Sequence, residues 1–80
     1  MRRSNDPQKG LGAALHELRE AQGATQAAIA MKAELTFDHY CAVEQGYGNP
    51  TWPTMRRLAH AFGISVAELA KRAEAQADRK

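Results

Sequence analysis

The sequence predicts an all-α fold of five short helices. Alanine is frequent among its 80 residues, whereas β-branched residues, which favour strands, are sparse. Glycines that suit a helix end occur at Gly23, Gly46 and Gly63. Between these breaks apolar residues recur at helical spacing, as at Leu11 and Leu15. Short helices separated by tight breaks are therefore expected throughout.

The predicted helix starts carry capping residues. A hydroxyl side chain that can accept a hydrogen bond from a first-turn amide precedes each of the last four helices, at Thr25, Thr36, Thr51 and Ser65. The first helix can begin at Pro7, but Gly10 and Gly12 weaken its first turn, so we expect a regular helix nearer Leu11. The predicted organisation is a flexible basic arm over residues 1–10, a folded domain over 11–75 and a flexible tail over 76–80.

Composition excludes several classes of protein. The single cysteine, Cys41, rules out an internal disulfide and favours a cytoplasmic location. No apolar run approaches the roughly 20 residues of a membrane span. Paired carboxylates, clustered histidines and phosphate-binding glycine loops are missing from the sequence, so we expect neither an enzyme nor a cofactor. His39 and Cys41 lie on neighbouring faces of one helix without a second pair, which is a poor zinc signal.

The connection at Glu34-Leu35 carries the strongest functional signal. Short helices are predicted on both sides of it, from Gln26 to Ala33 and from Phe37 to Gln45. Two helices joined by three or four residues cross steeply, and the second can place its amino end in the DNA major groove. That groove presents a distinct donor and acceptor pattern for each base pair. The arrangement therefore predicts a helix-turn-helix.

Six segments, in order and at intact spacing, resemble one known family. They are Leu18-Arg19-Glu20 before Gly23, Thr25-Gln26 with Ile29-Ala30, Val43-Glu44-Gln45-Gly46, Asn49-Pro50-Thr51, the run from Leu58 to Ser65, and Glu68-Leu69. From Leu11 to Leu69 the chain thus resembles the Cro/lambda-repressor superfamily, also called the xenobiotic response element family. The resemblance implies a five-helix lambda-repressor-like domain that binds double-stranded DNA. It further implies a homodimeric transcriptional regulator, a repressor, reading a pseudo-palindromic operator with its third helix.

The resemblance also implies roles for individual residues. The DNA-binding positions are Thr25, Gln26, Thr36, Phe37, Asp38, His39, Ala42, Tyr47 and Asn49. A basic arm would consist of Arg2, Arg3 and Lys9, a structural ion pair of Arg19 and Glu44, and a dimer interface of Trp52, Val66 and Leu69. Phe37 and Ala42 suit a thymine methyl, and Asp38 can accept from cytosine N4.

Plainer interpretations of some of these residues stay open. Gln26 fits a solvated first-turn residue, and Asp38 a favourable charge at a helix start. The segment from Tyr47 to Asn49 fits an ordinary turn. The basic arm, like the adjacent arginines at 56 and 57, fits either a phosphate contact or a solvated surface. Glu34 stands where the family favours a small residue, so either a positive φ or an altered turn is expected there.

The charge distribution supports a rival hypothesis. The net charge is +2, but residues 23–55 carry one lysine against three acids, a balance of −2. No lysine or arginine lies between Thr36 and Gln45, although non-specific DNA affinity depends on such residues. The alternative is a protein-interaction module on the same fold, such as an antitoxin or adaptor with a protein partner and weak or no DNA binding.

Overall fold

The computed structural model describes residues 7–47 and 49–78, which fold into five α-helices. The helices are α1 (Pro7–Gln22), α2 (Gln26–Lys32), α3 (Phe37–Glu44), α4 (Trp52–Phe62) and α5 (Val66–Ala77). No strand occurs in the described residues, so the predicted all-α fold is confirmed. None of these helices is long and apolar enough to cross a membrane.

The predicted capping residues begin the helices as expected. The side-chain oxygens of Thr25, Thr36, Thr51 and Ser65 accept hydrogen bonds from the amides of Ala28, His39, Thr54 and Glu68, respectively. Each bond satisfies one first-turn amide that lacks a partner within the helix. At the other end of α4, Gly63 adopts a φ of 73°, which closes the helix in the left-handed region.

The start of α1 corrects the predicted arm. The helix begins at Pro7 rather than near Leu11, so the last residues of the predicted arm are helical. Gly10 and Gly12 are buried, and a Cβ at these positions would clash with the backbone oxygens of Ala73 and Glu44. These glycines therefore allow α1 to lie very close to α5 and α3, and they do not mark a weak helix start.

The end of α5 corrects the predicted tail. The helix continues to Ala77, and the Gln76 amide donates a hydrogen bond of 2.8 Å to the Glu17 carboxylate on α1. Residues 76 and 77 thus belong to the folded domain, whereas 79 and 80 lie outside the described residues.

The core lies where α1 packs on α3 and α5, and α4 packs on α2 and α5. Its largest fully buried side chains are Leu15, Ile29, Tyr40, Leu58 and Leu69. This packing fixes the inward side of α3 and leaves its other side on the surface.

Candidate nucleic-acid interface

The connection between α2 and α3 is a tight turn that passes through the left-handed region. Glu34 has a φ of 61°, the one positive value at a non-glycine residue in the described chain. The Leu35 amide donates to the Ala30 carbonyl at 2.9 Å and thereby holds the end of α2 against the turn. Positive φ, one of the two alternatives left open by the sequence, is therefore the conformation adopted. It costs a residue with a Cβ about 1–2 kcal/mol.

The two sides of α3 differ sharply in exposure. Tyr40 and Val43 are buried against the core. Phe37 is 51% exposed, and Asp38 and His39 are also exposed. These three predicted DNA-binding positions are thus exposed at the amino end of the helix, and half-buried Ala42 lies one turn further along.

The amino ends of α2 and α3 both lie in the helix-turn-helix. Thr25 and Thr36 are exposed residues, and their hydroxyls accept hydrogen bonds from Ala28 and His39 amides at 3.0 and 3.1 Å. Helix amino ends attract anions because their first amides lack helical partners. Thr25 and Thr36, two of the predicted DNA-binding positions, therefore lie at helix ends of this kind, and their contact with DNA stays a prediction.

Gln26 is held by the protein itself. Its side chain is half-buried, and its amide nitrogen lies 3.4 Å from a carboxylate oxygen of Glu44. This long hydrogen bond orients the Gln26 side chain toward α3. A direct contact of that side chain with DNA remains a prediction.

Arg19 and Glu44 form the predicted ion pair between α1 and α3. The guanidinium Nε and Nη2 atoms donate to the two carboxylate oxygens at 3.0 and 2.9 Å. The side chains are only 13% and 6% exposed, respectively. Arg19 also donates to the Ala24 carbonyl at 3.1 Å, and the His16 ring lies 3.1 Å from Glu44. The pair thus connects α1 with the segment just before α2 and with α3.

This cluster shifts the titration of its members. Burial alone would raise the pKa of Glu44, but hydrogen bonds, above all from Arg19, outweigh it and lower that pKa to about 2. The bond to Glu44 in turn raises the pKa of Arg19. Burial raises the pKa of Tyr40 well above its ordinary value. The Tyr40 hydroxyl is close enough to Glu44 to help lower the pKa of that carboxyl. It makes no hydrogen bond of good geometry with the described residues, so it is a neighbour of the Arg19–Glu44 pair and not a third member of it.

The connection between α3 and α4 exposes two of the predicted DNA-binding residues. Tyr47 is 67% exposed, and Asn49 is also exposed. Gly48 between them lies outside the described residues. The loop therefore presents an aromatic and an amide side chain next to α3.

The predicted dimer interface is partly corrected. Trp52, the first residue of α4, is 63% exposed, and Val66 at the start of α5 is half-buried. Leu69 is fully buried within the subunit and cannot offer its side chain to a second copy. Its helical spacing marked it as apolar but did not show which neighbour covers it.

The predicted basic arm is described only at Lys9, which is exposed on α1; Arg2 and Arg3 lie outside the described residues. A different basic cluster has formed elsewhere. Lys32 at the end of α2 meets Arg56, Arg57 and His60 of α4 around one groove. The sequence indicated the two arginines as adjacent cations but gave no signal that distant Lys32 joins them. Within the described residues, no three histidine, cysteine or acidic side chains are arranged to hold a metal.

Comparisons with known proteins also identify a helix-turn-helix in this chain. Residues 10–72 match a family described as "Helix-turn-helix domain". An uncharacterised HTH-type transcriptional regulator, y4dJ of Sinorhizobium fredii (strain NBRC 101917 / NGR234), is 33% identical over 64 residues, covering 80% of this chain and 83% of that protein.

Two crystal structures of the clp gene regulator ClgR from Corynebacterium glutamicum are similar to this fold. One has a TM-score of 0.79 at 26% identity and covers 88% of this chain and 91% of its own. The other has a TM-score of 0.83 at 25% identity and covers 90% of this chain and 77% of its own. The match to the family extends over more than half of the sequence and includes the turn and both helices around it. The chain therefore belongs to the helix-turn-helix domain family.

Proposed function

We propose that this protein is a DNA-binding transcriptional regulator that represses its target by reading a pseudo-palindromic operator with α3. The observation that carries this proposal is the open surface of Phe37, Asp38 and His39 at the amino end of α3. In a helix-turn-helix this end of the second helix enters the major groove. Because the proposed partner is DNA, we also propose that the protein is located in the cytoplasm.

The residues on this surface suit direct readout of bases. Phe37 and the methyl group of Ala42 can contact a thymine methyl, and the Asp38 carboxylate can accept from cytosine N4. The amino ends of α2 and α3, at Thr25 and Thr36, suit contacts with phosphates, which position a protein without reading sequence. Tyr47 and Asn49 would extend these contacts along the backbone.

We propose that the regulator acts as a homodimer with Trp52 in its interface. An exposed tryptophan on a small domain is a large apolar surface, and its burial would contribute about 2 kcal/mol or more. Val66, at the start of α5, is partly accessible and is the second proposed interface residue. Two copies related by a two-fold axis would read half-sites ~34 Å apart.

The charge of α3 favours a second candidate function. This helix carries Asp38 and Glu44 but no lysine or arginine, and Met31 at 79% exposure adds to the exposed apolar side chains. An interaction module, such as an antitoxin or adaptor, would use these apolar residues to bind a protein.

Fluorescence anisotropy separates the two candidates. The purified protein is titrated onto a duplex from its own upstream region and onto a random duplex, each at two salt concentrations. A regulator binds at micromolar or lower concentration, more tightly to its own site, and more weakly as salt rises. A folded helical protein that binds neither duplex at low salt would exclude the regulator.

The dimer has its own test in analytical ultracentrifugation. We expect the wild-type protein to sediment as a dimer and Trp52→Ala to shift toward the monomer. Met31→Ala, which also removes an exposed apolar side chain, is the matched control and should leave the dimer intact. Equal behaviour of the two variants would contradict the proposed interface.

A further inference from the structure

A shallow groove of about 340 Å³ lies between the helix-turn-helix and α4. The end of α2 and the turn form one wall through Lys32 and Glu34, and α4 forms the other through Arg56, Arg57 and His60. All five side chains belong to exposed residues. The groove is therefore open to a ligand along one side of the turn.

The groove is strongly cationic for a chain with little net charge. Lys32, Arg56 and Arg57 form no ion pair with any other described residue, unlike Arg19 and Arg72. Glu34 is the one acid among the residues that line the groove. Three fixed positive charges thus surround a single negative one, and an anionic ligand would be attracted there.

The position of this groove indicates which anion it would meet. Glu34 lies two residues before Thr36, whose hydroxyl caps the amino end of α3. The wall of the groove at Glu34 is therefore close along the chain to the end of α3 that is proposed to enter the major groove, although no residue of α3 lines the groove itself. In B-DNA the edges of the major groove are lines of phosphates, so the groove and α3 can contact one duplex together.

We propose that this groove binds the phosphate backbone of the DNA strand next to the bases that α3 reads. The inference rests on the proposed function and supplies what α3 lacks, because that helix contains no lysine or arginine. Arginine suits the role since its planar guanidinium can bind phosphate through two parallel hydrogen bonds. The groove contributes affinity and salt dependence but not sequence preference.

The test compares two double variants that remove equal charge. Arg56→Gln/Arg57→Gln removes two cations from the groove, and Lys71→Gln/Arg72→Gln removes two from α5. The groove variant is expected to bind operator and random duplexes on the order of 10-fold more weakly at 0.1 M salt. Its slope of log affinity against log salt should be shallower by about 1.8, as for two lost phosphate contacts, while the operator-to-random ratio stays unchanged. The α5 variant should lose far less affinity.

A second variant tests the same inference with the opposite sign. Glu34→Gln removes the one acid from the groove and keeps a side chain of the same shape in the same backbone conformation. It is expected to bind both duplexes more tightly than the wild type, and it does not depend on whether the double arginine variant folds.

The outcomes distinguish the two proposals. A wild-type protein that binds no DNA would overturn the proposed function and this inference with it. A wild-type protein that binds DNA, with groove and α5 variants that lose the same affinity or an unchanged Glu34→Gln, would overturn this inference alone. The groove would then be available for another anionic partner, such as an acidic protein surface.

Discussion

The two sides of α3 are under different physical constraints. On the inner side, Tyr40 is fully buried and the Glu44 carboxylate is held by Arg19 through two hydrogen bonds of 3.0 and 2.9 Å. On the outer side, Asp38 is exposed and forms no ion pair with any described residue. The same helix thus contains one carboxylate required by the fold and another that the fold does not require.

This difference explains how such a domain can change its ligand without changing its structure. Substitutions on the inner side alter packing, charge burial and the position of α1 against α3. Substitutions on the outer side meet solvent, so the stability of the domain places little restriction on them. We therefore expect stability and DNA preference to respond to different residues of one short helix.

The largest predicted effect comes from exchanging each carboxylate for its amide. Glu44→Gln leaves the part-buried Arg19 guanidinium without its main counter-charge. This is expected to lower the free energy of unfolding by about 3 kcal/mol, the lower end of the range for a fully buried pair. Asp38→Asn is the control and should cost at most ~1 kcal/mol, because it removes only a favourable charge from the first turn of α3. Urea denaturation measures both, and equal losses would contradict the proposed asymmetry.

The pH dependence of stability should identify the same carboxylate. Folding lowers the pKa of Glu44 from its ordinary value of 4.5 to about 2. Its contribution is therefore complete above about pH 4.5 and is lost as the pH falls toward 2, since the unfolded chain binds the proton first. Urea midpoints between pH 6 and pH 3 should fall steeply in the wild type and in Asp38→Asn. A Glu44→Gln variant with an equally steep fall would show that another group is responsible.

The close approach of α1 to α3 gives a third prediction. Gly12→Ala places a methyl group against the backbone oxygen of Glu44, and this overpacking is expected to cost about 1–3 kcal/mol. The neighbouring exposed residue serves as the control, because Ala13→Gly should cost ~1 kcal/mol from helix propensity alone. Thermal unfolding would then show alanine disfavoured at one position and favoured at the next. A stabilised Gly12→Ala would mean that the two helices are not in close contact.

The same glycine shows where sequence reasoning succeeds and where it stops. Threonine and serine caps act on amides three residues away, so a local pattern was enough to predict the helix starts. Gly12 looked like a weak helix start because the contact that requires a glycine there is with the backbone of Glu44 on α3, more than thirty residues along the chain.

The candidate site follows the same rule. The α3 positions that prove to be exposed, and the Arg19–Glu44 pair, could be predicted from the resemblance to the family. Neither spacing nor resemblance showed that Lys32 lies beside Arg56, because that proximity depends on how α2 packs against α4. The burial of Leu69 was missed for a similar reason, since an apolar stripe does not show whether its own domain or a second copy covers it.

The turn between the two helices gives a smaller effect. Glu34 has a φ of 61°, and glycine adopts this value without the penalty of a Cβ. Glu34→Gly is therefore expected to stabilise the domain by ~1 kcal/mol. Glu34→Ala keeps the Cβ while removing the charge and should give no gain. If both variants were equally stabilised, the charge of Glu34 and not its backbone conformation would be the cause.

The smallest effect on stability should accompany a measurable effect on DNA. In Asp38→Asn the carboxylate that can accept from cytosine becomes an amide, which pairs well with adenine N6 and N7. The preference at one base pair of the operator should therefore shift from cytosine toward adenine by about 1–3 kcal/mol. Anisotropy with a set of operators varied at single positions measures this shift, and the urea curve of the same variant measures stability. A gain of affinity that is uniform over all operators would mean that Asp38 lies near phosphates and reads no base. A variant that changes base preference while unfolding almost as the wild type does would show that the outer side of α3 contributes to base preference without contributing to stability.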